Sequence, residues 1–119
     1  MNGDAHRDAA MELEQSIADL GDLTALASRP YNGRALIELY WGAAFEWIAY
    51  GCQRLHGKHK EKHEGLARFL RDVAETSVAD WWTTLESLRQ GGFYGHHTDR
   101  SYVQKAHDLW QEIRTWAQT

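Results

Sequence analysis

Along most of the chain apolar residues recur at three- and four-residue intervals, the spacing of one helix face, and they never alternate over the length of a strand. From about Ala5 to Ala27 the stripe is Ala9, Leu13, Ile17, Leu20, Thr24 and Ala27 with charged residues between, which predicts a first helix. Gly21 weakens its middle, and Ser28-Arg29-Pro30 ends it, because proline pushes the preceding residue out of the helical region. Asn32 is placed as the N-cap of a second helix running to about Leu55. That helix is apolar on nearly every side, through Leu36, Ile37, Leu39, Tyr40, Trp41, Phe45, Trp47, Ile48 and Tyr50, and must therefore be central. Its small residues Gly42, Ala43, Ala44, Ala49 and Gly51 would let neighbouring helices come close, and its surplus of rings is expected to face a second subunit.

The polar, basic stretch His56 to Lys62 contains Gly57 and reads as a connection. A short third helix follows, with Leu66, Phe69, Leu70 and Val73 as its buried face and an end near Thr76. Ser77-Val78-Ala79-Asp80 has the spacing of a capping box and opens a fourth helix, with Val78, Trp81, Trp82, Leu85 and Leu88 inward and Gly91-Gly92 closing it. After a loop from Phe93 to His97, Thr98 is placed as the cap of a fifth helix, whose stripe is Tyr102, Ala106, Leu109, Trp110, Ile113 and Trp116 or Ala117. The expected fold class is all-α: an up-and-down bundle of four long helices plus one short helix, in one domain over residues 1–119 with 1–4 disordered.

Composition agrees with this reading. A chain of 119 residues buries a real core without disulfides, and its lone Cys52, inside an apolar run, reads as a small buried hydrophobe in a reducing compartment. No window reaches the length of a membrane span, so the expected location is the cytoplasm, with no membrane partner. A formal net charge of −4 gives no global pull toward nucleic acid. Six tryptophans are many for this length and are read first as packing.

Two clusters carry candidate chemistry. His56, His59 and His63 fall within eight residues, and imidazole is the commonest ligand of zinc, copper and nickel; His59 and His63 would share a face in a helix. Lys58, Lys60 and Lys62 would repel a cation, however, and a solvated basic loop is the preferred reading, with no metal or cofactor expected. The second cluster, from Arg89 through Gln90, Gly91, Gly92, Phe93, Tyr94 and Gly95 to His96 and His97, joins a permanent cation suited to phosphate with imidazoles that titrate near neutrality. That pairing suits phosphodiester chemistry. The plainer alternative has Arg89 complementing the carboxyl end of a helix while the histidines lie in solvent.

The pattern resembles the HEPN domain, the helical family named for higher eukaryotes and prokaryotes nucleotide-binding proteins. Leu39-Tyr40-Trp41-Gly42-Ala43-Ala44-Phe45-Glu46-Trp47 resembles the family's second helix, His63-Glu64-Gly65-Leu66 the start of its brief third, and Leu85 to Tyr94 with the Ala106 helix its closing segment. The resemblance implies metal-independent RNA cleavage in a cleft between two protomers, each supplying Arg89 and His96, which are separated by six residues as catalytic members allow. Gln90, Tyr94 and His97 would be supporting residues, and a toxin or antiviral role would follow. Many members instead serve as non-catalytic modules that bind RNA or nucleotide, or work beside a nucleotidyltransferase-like or other defence partner. The glycines after Arg89 resemble that second group, since catalytic members keep the motif on helical backbone.

Overall fold

The computed structural model describes every residue except 27, 30, 31 and 95–99, and of 92–94 the backbone alone. Its helices are α1 (Gly3–Asp19), α2 (Asn32–His56), α3 (Leu66–Asp72), α4 (Thr76–Tyr94) and α5 (Arg100–Gln118), with a 3-10 turn at Asp22–Ala25 and no strand among the described residues. Cross-helix contacts fix the directions. Gly3 meets Gln53 while Leu13 meets Gly42, so α1 and α2 are antiparallel. Trp41 reaches Glu86 while Glu38 reaches Arg89, so α4 also runs against α2. Tyr40 lies on Trp110 and Gly51 on Trp116, so α5 runs with α2. The four long helices thus alternate in direction, and α2 packs on α1, α4 and α5. No helix among the described residues is long and apolar enough to cross a membrane.

The all-round apolarity of α2 has the consequence expected of it. Leu36, Ile37, Tyr40, Ala43, Ala44, Trp47 and Ile48 are buried, and the rings at its margins, Trp41 and Phe45, lie half-buried against Trp82 of α4. These rings are therefore used inside the chain; the large apolar residues left exposed among the described residues are Met1, Met11 and Leu55. The inward stripe of α5 is Val103, Ala106, Leu109, Trp110, Ile113 and Ala117, with Tyr102 and Trp116 at its edges. α2 and α5 pack tightly at Gly51, where an added Cβ would stand 2.6 and 2.8 Å from ring carbons of Trp116 and 3.1 Å from the Cα of Ala117.

Four indole rings in and around the core donate their N–H groups to glutamates. Glu14 of α1 accepts from Trp47 of α2 at 2.7 Å and from Trp110 of α5 at 3.0 Å, and pairs with Arg114 at 3.1 Å. Glu86 accepts from Trp41, and Glu75, just before α4, from Trp116 at 3.0 Å. Tyr40 donates its hydroxyl to Asp22, which anchors the 3-10 turn to α2.

Several boundaries differ from expectation. The first helix stops at Asp19 and does not continue to Ala27, a position outside the described residues. Gly21 takes left-handed backbone (φ 85°) and breaks the helix there, and Thr24 is exposed in the 3-10 turn. Asn32 is the first residue within α2 and is buried, so it is not the cap ahead of it. The capping box at Ser77 is not used: α4 already begins at Thr76, and Asp80 pairs with Arg71 at 3.0 Å. Gly91 and Gly92 do not close α4, which runs through both to Tyr94. The cap placed at Thr98 lies outside the described residues. Asn2, within the segment expected to be disordered, accepts from the backbone N–H of Ala5 at 2.8 Å and caps α1.

Two pairs of substitutions test this packing by chemical denaturation. Gly51→Ala is expected to destabilise by about 1–3 kcal/mol, because overpacking against Trp116 and the α5 backbone exceeds the helix-propensity gain. Gly42→Ala, whose Cβ would meet Leu13 at an ordinary 3.4 Å, is expected to stabilise by up to about 1 kcal/mol. Glu14→Ala strands two indole donors and a guanidinium and is expected to cost about 2–4 kcal/mol. Glu14→Gln keeps one carbonyl acceptor and should lose less; equal losses would show that the acceptor is unimportant.

Candidate functional site

Arg89 projects from the last turns of α4 onto α2. Its Nε donates to Glu38 at 3.0 Å, and its guanidinium carbon lies 4.0 Å from the centroid of the Trp41 ring. The carboxylate and the indole face together hold the guanidinium in one orientation, with about a third of the side chain (34 %) still exposed. Trp41 is in turn held by its bond to Glu86 and by the Trp82 and Phe45 rings, and the edge of His63 meets it at 5.3 Å between ring centroids. An arginine and a histidine therefore lean on the same indole, beside a groove lined by Trp41, Phe45, Glu61, Lys62, His63 and Glu64.

Of the expected site residues, Arg89 and the exposed Gln90 lie on continuous helical backbone. Tyr94 is the last residue of α4, known by its backbone, and His96 and His97 lie outside the described residues. Glu38, which pairs with Arg89, was not singled out in the sequence, and Trp41, which carries the guanidinium, was marked there as an apolar residue of the central helix and not as a partner of Arg89. Searches against protein-family models, curated proteins and solved structures give no match.

The three histidines of the basic connection do not converge. No helix carries them together, since α2 ends at His56 and residues 57–65 are non-helical between the left-handed Gly57 and Gly65 (both φ 72°). His56 pairs with Glu75 at 3.0 Å, and His63 faces Trp41 and Glu64. His59 turns instead toward the start of α1. There it meets His6, which is buried at 1 % exposure, ring against ring with centroids 4.9 Å apart. Glu61 lies 2.7 Å from His59 Nε2 and 3.2 Å from His6 Nε2, and also accepts from the α-amino group of Met1 at 2.9 Å. The Met1 amino group first, then His59 and His6, hold the Glu61 carboxyl down at about 2, so it is ionised at neutral pH. The second histidine of this cluster was legible in principle: carrying the inward positions Ile17, Leu13 and Ala10 back by one turn lands on His6.

Cys52 is buried on α2, as its apolar surroundings imply. Burial, and secondarily the charge of Glu75, push its thiol up to about 12 from 9.0, so it is no nucleophile at neutral pH. A disulfide reagent at pH 8 is expected to leave the native thiol unmodified and to modify one equivalent in denaturant; rapid native reaction would contradict this burial. The sign for stability follows, because a thiol ionising more readily in the unfolded chain favours unfolding as pH rises. The contribution is complete below pH 9.0 and is lost toward about 12.

Proposed function

We propose that the chain is a HEPN-like, cytoplasmic endoribonuclease module that works without a metal, as a homodimer with a composite Arg89 and His96 cleft. The observation that supports this most is the unbroken course of α4 through Gly91 and Gly92 to Tyr94. Arg89 thus stands on helical backbone, as catalytic members of the family keep it, and its guanidinium is oriented by Glu38 and Trp41 before any substrate arrives. In this reading His96 takes the ribose 2′-hydroxyl proton as that oxygen attacks the adjacent phosphorus. The bond to the 5′-oxygen breaks, the imidazolium returns a proton to it, and a 2′,3′-cyclic phosphate is left. Arg89 stabilises the charge that builds on the phosphoryl oxygens.

A second reading is favoured by the Glu38 contact, which offsets the charge of Arg89 and gives it a packing duty. There the chain is a non-catalytic module that binds RNA or nucleotide, or works beside a nucleotidyltransferase-like or other defence-system partner.

Purified protein incubated with RNA in excess chelator separates the two. Cleavage by wild type and a loss of about 100-fold or more in both Arg89→Ala and His96→Ala supports the enzyme. Products equal in all three proteins refute it. No cleavage, together with RNA affinity that rises in Glu38→Gln and falls in Arg89→Ala, supports the binding module.

A further inference from the structure

The geometry points to a binding site for a zinc-class divalent cation formed by His6, His59 and Glu61, where the amino end of α1 meets the connection after α2. The site does not depend on the ribonuclease reading and uses a different donor set from the loop histidines taken alone. One ligand atom from each of the three residues lies within 4.8 Å of the others. A tetrahedral zinc ion with bonds of about 2.0–2.1 Å sets its donors about 3.3 Å apart. His6 Nε2 already stands 3.2 Å from Glu61, and the 2.7 Å contact of His59 Nε2 with Glu61 would open slightly as an ion replaces the hydrogen bond between them.

The surroundings are those of a ligand set rather than of a chance cluster. Each imidazole has its other nitrogen engaged by an acceptor on α2: His6 Nδ1 meets Glu46 at 2.5 Å, and His59 Nδ1 meets the Gln53 side-chain oxygen at 2.7 Å. Those contacts let each ring carry an N–H on Nδ1, so that an ion displacing the Nε2 proton now donated to Glu61 would find both Nε2 atoms facing it, as the outer partners of metal-bound histidines arrange. Glu46 and Gln53 are seven residues apart, two helical turns, and so share one face of α2. The local charge is also negative. Two neutral imidazoles, the Glu61 carboxylate and the Glu46 carboxylate behind His6 sum to −2, and the Met1 α-ammonium 2.9 Å from Glu61 brings the total to −1, still attractive to a cation that displaces it.

Of the lysines in the connection, Lys60 is turned away from these three residues. Lys60 Nζ is folded toward Gly65, 3.6 Å from where a Cβ on that glycine would stand, at the start of α3. Access is from the Glu61 side, since Glu61 is half exposed whereas His6 is closed off. Three protein donors leave a position for water, and the Met1 carbonyl oxygen, 3.0 Å from His59 Nε2, is a further oxygen at the rim. Two nitrogens and one carboxylate suit zinc, cobalt, nickel or copper and not magnesium or calcium.

The test is titration of tag-free, metal-stripped full chain with Zn²⁺ alone, by calorimetry and by competition with a chromophoric chelator. One equivalent is expected to bind with micromolar or tighter affinity. His59→Ala and Glu61→Gln, both on the accessible side, should each weaken binding at least tenfold, and Gln53→Leu, which acts through His59, should weaken it by about 10-fold to 100-fold. His56→Ala and His63→Ala should bind as wild type does, and Mg²⁺ and Ca²⁺ should not compete. Circular dichroism of each variant keeps misfolding apart from loss of a ligand. Absence of zinc binding, unchanged affinity in Glu61→Gln and His59→Ala, or loss on removing His56 or His63 would each overturn the assignment. RNA cleavage measured in chelator is a separate readout, so either reading can fail without the other.

Discussion

Four indole N–H groups in this bundle, those of Trp41, Trp47, Trp110 and Trp116, are accepted by glutamates, and these directional bonds add to apolar contact in fixing how the helices are turned against one another. Apolar burial is non-directional, so α2, with apolar residues on nearly all sides, would tolerate several rotations among its neighbours. Hydrogen bonds to carboxylates do not. Trp47 and Trp110 converge on Glu14, which sets α1, α2 and α5 in one register, and Trp41 on Glu86 does the same for α2 and α4. Trp116 on Glu75 ties the end of α5 to the start of α4. Losing one such acceptor leaves a donor unpaired at low dielectric, so the arrangement is specified by what happens when it is broken.

The same logic governs the candidate sites. Arg89 and His6 are both oriented by carboxylates on α2, Glu38 for the first and Glu46 for the second. The central helix therefore acts as a core element on its apolar sides and as a row of acceptors along its margins. A functional side chain held this way loses little freedom when it meets a ligand, because its orientation is already set within the fold.

Much of the helical plan was legible. The all-round apolarity of α2 required a central position, the inward stripe of α4 and that of α5 from Ala106 onward fell where periodicity placed them, with Val103 buried in place of Tyr102, and Gly57 fell in the connection after α2. The failures came where local chemistry was outweighed. Gly91 and Gly92 carry a strong stop signal, yet α4 continues, and Arg89 one half-turn earlier is pinned to Glu38 and Trp41 across the bundle. Ser77 offers a capping side chain, but the helix begins one residue before it. His6 was passed over because its partners lie 40 and 55 positions away, beyond any periodic signal; only its place on the inward stripe of α1 marked it. His96 and His97 lie outside the described residues, so the half of the catalytic expectation that needs them is carried by sequence spacing alone.

The two candidate sites draw on one helix and one connection. Their partners on α2 span Glu38 to Gln53, about 22 Å at 1.5 Å per residue, and between these Trp41 of one site and Glu46 of the other are only five residues apart. Between the sites runs the non-helical stretch 57–65, whose His59 and Glu61 meet His6 while its His63 rests on Trp41, the ring that carries Arg89. Whatever draws Glu61 closer to the two imidazoles, a proton or an ion, acts two residues from His63. The next group in line is the indole on which the guanidinium lies. The connection thus touches both sites, through His59 and Glu61 at one and, two residues beyond Glu61, through His63 at the other.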